Sequence, residues 1–499
     1  MKFTLTLCLA LVITASVTAQ IFVEKAPDFP FKAASRGDLD FADVDGDGDQ
    51  DVLISGSCRC GTSSSLYINE NGTHFILAEN TPFPPMYDSA VNFADLDNDG
   101  DQDLILMGKT GSAGLVSLLY QNDGSGEFTL VPEHPIEAVS EANIIFVDVD
   151  NNSYLDIIVQ KGDGGLEKEV RLYLNEGEIN NLQLVPDTPF EAIRLGSMAL
   201  SDIDGDNDPD ILITGMDSEA EPTVNLYLND GTGQFTLDPN TPFQALTQGS
   251  IDFADVDGDN DQDVLVSGFM GSLLGSSTLL YLNDGEGQFS LAPNASFIGA
   301  IWVKAQFADL DNDGDQDILV AGISPSTRVY LNNGLGEFSL LEHEDIELVG
   351  FVSFAIEDVD GDDDLDVLLT GVNGLHGSIA HLYTNDGSAR FNIVEHGFIN
   401  AAVGRNGSVA IADTDNDNDL DILITGREGQ SDYTSNLYIN DGHANFTPLL
   451  NTPFKGLTNS SVAFADIDND NDQDIIMSGM GNIPGYPTES QPTNATYIY

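Results

Sequence analysis

Short apolar runs recur along this chain, separated by polar, turn-forming stretches. One stretch shows the pattern: GSIDFAD (249–255), DVLVSG (263–268), TLLYLNDG (278–285) and GQFSLAP (287–293). Each run is brief, rich in Val, Ile, Leu, Phe or Tyr, and bounded by Gly, Asn, Asp or Pro, which predicts strands. The Asn-Asp-Gly after the third run predicts a tight turn, since these residues accept left-handed backbone. Beyond the first twenty residues no helical spacing is found. The four-run unit is written nine times, and a tyrosine in the third run marks its phase: Tyr67, Tyr120, Tyr173, Tyr227, Tyr281, Tyr330, Tyr383, Tyr438 and Tyr497.

A period of about fifty residues with four antiparallel strands per unit predicts propeller blades. The ninth unit stops two residues after Tyr497 and lacks a fourth run. QIFVEKAPDFPF (20–31) aligns with GQFTLDPNTPF (233–243), a fourth run elsewhere. The expected fold is therefore all-β: a β-propeller of nine four-stranded antiparallel blades, closed by N- and C-terminal strands sharing one blade. Closure of this kind hides the sheet edges that an open array exposes. No linker interrupts the repeat, so 20–499 is expected to be one domain.

Between the first and second runs of every unit lies an acidic cluster. Numbered from its first aspartate, the first is Asp43, Asp45, Asp47, Asp49 and Asp51 at positions 1, 3, 5, 7 and 9. The second is Asp95, Asp97, Asp99, Asp101 and Asp103. The third is Asp148, Asp150, Asn152, Tyr154 and Asp156. The fourth is Asp202, Asp204, Asp206, Asp208 and Asp210, and the fifth Asp255, Asp257, Asp259, Asp261 and Asp263. The sixth is Asp309, Asp311, Asp313, Asp315 and Asp317, and the seventh Asp358, Asp360, Asp362, Asp364 and Asp366. The eighth is Asp413, Asp415, Asp417, Asp419 and Asp421, and the ninth Asp466, Asp468, Asp470, Asp472 and Asp474.

Crowded like charges repel, so a cluster kept nine times needs a counter-charge. Hard cations such as Ca2+ take six to eight oxygens, and side chains at positions 1, 3, 5 and 9 with a carbonyl at position 7 can supply them. Position 4 is always Gly or Asn, and position 6 is Gly, Asn or Asp except at Ser153. Those residues suit a loop that turns sharply about an ion, and acidity alone would not select them. Up to nine Ca2+ are expected; the third loop has Tyr154 at position 7, where only a carbonyl is needed, and its site is expected to survive with the lowest affinity.

Charge agrees. The chain of 499 residues has 83 Asp+Glu against 16 Lys+Arg, a formal net charge of -67. More than half of the acids lie in the clusters. Nucleic acid is excluded as a partner class, because phosphate binding needs a basic face.

D-x-D-x-D-G-x-x-D between two strands, with F-x-x-A/V-D before it and LYLNDG-x-G-x-F after it, resembles the FG-GAP/VCBS repeat. That family builds the calcium-binding propellers of integrin α subunits and of several secreted lectins. The resemblance implies Ca2+ held by positions 1, 3, 5, 7 (through its carbonyl) and 9 of each cluster. The chain departs from the integrin pattern in having nine units where those propellers have seven, and in its frequent Asn at position 6.

Lys2, the apolar run from Phe3 to Val17, and Val17-Thr18-Ala19 fit a secretory signal over 1–19, cleaved before Gln20. The mature protein is expected outside the cell, with no membrane insertion. Its expected role is multivalent binding or adhesion, with an extracellular glycan or protein as ligand, since repeated crevices add weak contacts through avidity. The alternatives are an extracellular scaffold and a polysaccharide-degrading lyase or hydrolase. An enzyme needs a singular titratable constellation. His376, His381 and Trp302 are its candidates, each expected to be a surface or packing residue instead. Arg36-Gly37-Asp38 spells an adhesion tripeptide but is expected to be part of a strand entry. Cys58 and Cys60 form a C-x-C pair with no wider disulfide framework.

Overall fold

The computed structural model describes residues 35–499, except 59–60, 70–74, 112–113, 141, 161–169, 192–193, 218, 220, 248, 271–274, 294–296, 300, 324–326, 342–345, 347–349, 374–376, 395–407, 429–431, 468–471 and 482–492. The expected signal segment, the 20–31 strand, Cys60 and His376 lie outside the described residues.

The protein is an all-β propeller of nine blades. In the first, strands Ser35–Ala42, Asp51–Cys58, Gly61–Asn69 and Phe75–Leu77 pair antiparallel in chain order. Six more sheets repeat that four-stranded meander. The eighth blade (Ser408–Ala412, Asp421–Glu428, Asp432–Ile439, Thr447–Pro448) and the ninth (Leu457–Ala465, Asp474–Gly481, Thr493–Ile498) touch through one pairing, Thr434 with Leu457. The ninth blade shows three described strands. Among the described residues no helix is long and apolar enough to cross a membrane.

Burial follows the order of strands within a blade. The second strand is sandwiched between neighbouring blades on both faces, so DLILMG (103–108) is buried at every position. That is why these runs are continuously apolar where a half-exposed strand would alternate. The fourth strand is short and exposed, as at Thr129–Leu130. A short outer strand leaves little free edge for another chain to pair with.

Packing between blades repeats too. A phenylalanine after the fourth strand of one blade meets the tyrosine of the next edge-on. Phe83 lies 5.1 Å from Tyr120, Phe190 5.1 Å from Tyr227, and Phe243 4.9 Å from Tyr281, between ring centroids. The buried tyrosine hydroxyl takes a backbone N–H from the same linker, as Tyr173 does from Glu137 at 3.0 Å. In the ninth blade this place belongs to Tyr499, not to Tyr497 as the LYLNDG alignment suggested. Tyr499 exchanges two 3.0 Å backbone bonds with Ile475, the residue after Asp474. Its ring meets Phe454, and its hydroxyl accepts from Lys455 N. Equivalent tyrosines pair one residue past position 9, as Tyr120 does with Leu104. The sequence T-Y-I-Y offers two tyrosines two apart on the same strand face, and only the pairing distinguishes them.

The ring closes. One core cluster joins Val52, Ile54, Tyr67 and Phe75 of the first blade to Ile467, Ile476 and Ile498 of the ninth.

Candidate metal centres

All nine acidic loops join a first strand to a second strand, so they gather at one end of the ring. Within each loop the aspartates have different tasks. Position 1 holds the turn: its Oδ2 accepts the N–H of position 6 in all eight loops whose turn is described, as Asp43 does from Gly48 at 3.0 Å and Asp202 from Asn207 at 3.0 Å. This pulls positions 4 and 6 into left-handed backbone. Asn98 has φ 57° and Asn207 φ 70°, and Ser153 follows at 73°. The spacer residues read from the sequence occupy that conformation.

Position 5 accepts the N–H of position 7 through Oδ1, as Asp206 does from Asp208 at 3.0 Å. Position 9 is buried beneath the loop. Its Oδ2 accepts from the N–H of position 2, and its Oδ1 from the asparagine two residues after the tyrosine. For Asp210 these are Ile203 N at 2.9 Å and Asn229 N at 2.8 Å. Burial nonetheless pushes the carboxyls of Asp51, Asp103, Asp210, Asp263, Asp317 and Asp366 up to about 7, and that of Asp156 to about 6.

Position 3 is different. Oδ1 of Asp45, Asp97, Asp204, Asp257, Asp311, Asp360 and Asp415 is buried, and no hydrogen-bond donor reaches it. Burial first, then repulsion from neighbouring carboxylates with position 5 foremost, raises the pKa of these groups. An orphaned buried carboxylate oxygen is costly. The same oxygen recurring in seven loops, beside two further carboxylates, is the donor set of a hard-cation site. Among the described residues the structure brings three carboxylates together, with ligand atoms within 4.8 Å of one another, in the first five loops, as with Asp43, Asp45 and Asp51, and Asp202, Asp204 and Asp206. Positions 1, 3, 5 and 9 therefore fit a cation.

The third loop differs at position 3, not at the Tyr154 that marks it in the sequence. Asp148, Asp150 and Asp156 converge, but Asp150 Oδ1 takes the N–H of Asn152 at 3.3 Å. Its oxygen is thus not orphaned. In the ninth loop Asp466, Asp472 and Asp474 are described, while Asp468 and Asp470 are outside the described residues.

The side chain of position 7 packs against a turn of its own blade. Asp101, Asp208, Asp261, Asp315, Asp364 and Asp419 each lie over the turn glycine of their own blade, where a Cβ on that glycine would come within 2.3–2.6 Å of a carboxylate oxygen. Tyr154 lies over Gly177 in the same way.

From the sequence, the asparagine after the tyrosine is a turn residue. It does more. Besides capping position 9, its Nδ2 donates to the position 2 carbonyl of the preceding blade: Asn122 to Val44 at 2.8 Å, Asn229 to Val149 at 2.8 Å, Asn283 to Ile203 at 2.7 Å. Its recurrence at Y-x-N in eight units was the available signal.

Asp38 of the Arg-Gly-Asp tripeptide sits in the first strand, and its Oδ2 accepts the N–H of Val91 in the next blade at 3.1 Å. Its carboxylate is a strand-bridging group, as are those of Asp40 and Asp252, which take Phe93 N and Phe307 N at 2.8 Å. His381 stands beside Tyr383, ring to ring at 6.2 Å. The side chain of Trp302 is outside the described residues.

A model of the FG-GAP-like repeat matches residues 43–106, 202–266, 272–320, 309–369, 358–424 and 413–477, which is more than half of the chain. The chain belongs to the FG-GAP-like repeat family. No match was found among curated proteins. Solved structures similar to this FG-GAP-like propeller include an Agrocybe aegerita lectin described for specific recognition of non-reducing terminal N-acetylglucosamine. It is 21% identical, with 62% of this chain and 79% of that chain covered, at a TM-score of 0.37. AofleA of Arthrobotrys oligospora is 9% identical over 75% of this chain and 89% of its own, at 0.30. A xylan β-1,4-xylosidase of Bacillus halodurans C-125 is 12% identical over 94% and 98%, at 0.22. At these TM-scores none of the three bears on the function of the FG-GAP-like propeller.

Proposed function

We propose that the protein is a secreted, calcium-stapled propeller that acts as a multivalent binding or adhesion module for an extracellular glycan. The observation that carries the calcium reading is the buried, donor-less Oδ1 at position 3, repeated from blade to blade. Ca2+ supplies the positive charge that lets such a cluster stay ionised. In the fourth loop Asp202, Asp204, Asp206 and Asp210 would hold it, with the carbonyl of Asp208. The binding reading rests on repetition. A ring of similar seams presents similar crevices side by side, and avidity turns weak contacts into useful affinity. A scaffold role in an extracellular assembly is the second reading.

Two measurements test this. Calorimetric titration of chelator-treated protein with Ca2+ is expected to show several sites, and Asp257→Asn to remove one of them. A glycan array probed with and without Ca2+ is expected to show calcium-dependent binding to one sugar class. Absence of calcium binding sinks the staple. A blank array with folded, calcium-loaded protein moves the role to scaffold or protein binder.

A further inference from the structure

The acidic loops touch one another around the ring through position 4. Asn151 Nδ2, in the third loop, donates to Oδ1 of Asp208, position 7 of the fourth. Asn312 does the same to Asp364 of the seventh loop, and Asn416 to Asp472 of the ninth. Asn98 donates to the carbonyl of Ser153, position 6 of the third loop, at 2.8 Å. At Gly46 and Gly205 the loop still abuts the next blade, but without a side-chain hydrogen bond, and at Gly361 nothing lies within 4 Å of a Cβ position. A Cβ on Gly46 or Gly205 would lie 3.3 or 3.2 Å from the carbonyl of the next blade's turn glycine, Gly124 or Gly285.

Position 7 is the residue whose backbone carbonyl the calcium reading uses, and its carboxylate is what the neighbouring asparagine grips. We propose that Asn151, Asn312 and Asn416 are positioning residues that couple each cation site to the site in the next blade. This rests on the calcium reading. An ion in the third loop fixes positions 3 and 5 on either side of Asn151, whose φ is 58°. The fixed backbone aims the amide at Asp208. Asp208 is then held between that amide and Gly231, with its carbonyl kept in place for the fourth site. Linkage makes the effect reciprocal: an ion in the fourth loop favours one in the third.

The pattern of position 4 divides the ring. Asparagine joins loops two, three and four, then six and seven, then eight and nine. Gly46, Gly205, Gly258 and Gly361 interrupt the coupling after loops one, four, five and seven. Asn469, position 4 of the ninth loop, lies outside the described residues; among the described seams cations therefore bind in small cooperative groups, and the fifth site is joined to neither neighbour.

Tyr154 permits a site-specific test, because it is the one aromatic at position 7 of the nine loops. Tyrosine-sensitised terbium luminescence in the full-length protein reports the third site. Crippling the fourth site with Asp204→Asn and Asp206→Asn is expected to weaken terbium at the third by about tenfold, the scale of one charge-assisted hydrogen bond. Asn151→Gly, the residue four other loops carry, is expected to cause a similar loss, and the combination no further loss. Crippling the fifth site with Asp257→Asn and Asp259→Asn, beyond the Gly205 break, is expected to leave the third unchanged. If the fourth-site change has no effect, or its effect multiplies with that of Asn151→Gly, the coupling is wrong while the terbium signal upholds the cation sites. A protein that binds neither terbium nor Ca2+ overturns both.

Discussion

Asn69 and Ile467 lie 398 positions apart, and the side-chain amide of Asn69 donates to the Ile467 carbonyl at 3.3 Å. The contact is the one that Asn122 makes with Val44 and Asn229 with Val149 between consecutive blades. The ninth blade thus stands before the first as each blade stands before the next. Gln50 N also reaches the Ile467 carbonyl, at 2.9 Å.

Closure gives this bond a measurable consequence. Asn69→Ala leaves a buried carbonyl with one donor fewer and is expected to cost about 1–3 kcal/mol. Asn229→Ala, at an interior seam, is expected to cost the same. Denaturant unfolding of the two variants makes the comparison. A silent Asn69→Ala beside a damaging Asn229→Ala means an open array.

Chelation is expected to lower the melting temperature strongly. Extracellular calcium modules bind at roughly 0.1–1 mM. At tenfold excess over the dissociation constant each ion adds about 1.4 kcal/mol, and nine independent ions on the order of 13 kcal/mol. That rivals the whole stability of an ordinary domain. A melt that ignores chelator excludes Ca2+ as a staple.

The carboxyls also set a pH dependence, and its sign depends on the ion. Without Ca2+, position 9 titrates near 7 in the fold (Asp51, Asp210, Asp263) against its ordinary 3.8. Between those values the folded state binds more protons than the unfolded one, so metal-free stability falls as pH rises from about 4 to 7. Ca2+ requires the ionised groups. Thermal melts are therefore expected to rank pH 5.5 above pH 8 in chelator, and to show the larger calcium-induced rise at pH 8. Equal melting temperatures at the two pH values in chelator, with an equal calcium-induced rise, would contradict these shifts.

Gly231→Ala tests the seat of position 7. Gly231 has φ 70°, and a Cβ there would lie 2.3 Å from Asp208 Oδ2. Left-handed backbone alone costs an L-residue about 1–2 kcal/mol. The variant is expected to melt lower and to bind Ca2+ more weakly at the fourth site than at the fifth. Gly111→Ala, in open space, serves as the control and is expected to change neither.

Much of this molecule was legible in its sequence because each blade is specified locally. Runs such as DVLVSG at 263–268 can bury both faces only as a central strand. Asp, Gly and Asn at fixed steps allow few loop conformations, and nine copies remove chance. The candidate ligands at positions 1, 3, 5 and 9 came from the same local rules. Relations between blades were not legible. Tyr497 and Tyr499 are equivalent by composition and spacing, and only the pairing with Ile475 decides between them. The turn-out of Asp208 over Gly231, the reach of Asn151 across a seam, and the bond from Asn69 to Ile467 depend on where a second blade sits. Spacing along a chain determines what one loop can hold. The distance between loops fifty or four hundred residues apart is set by the packing of Val, Ile and Tyr between sheets, and that exists only once the ring has formed.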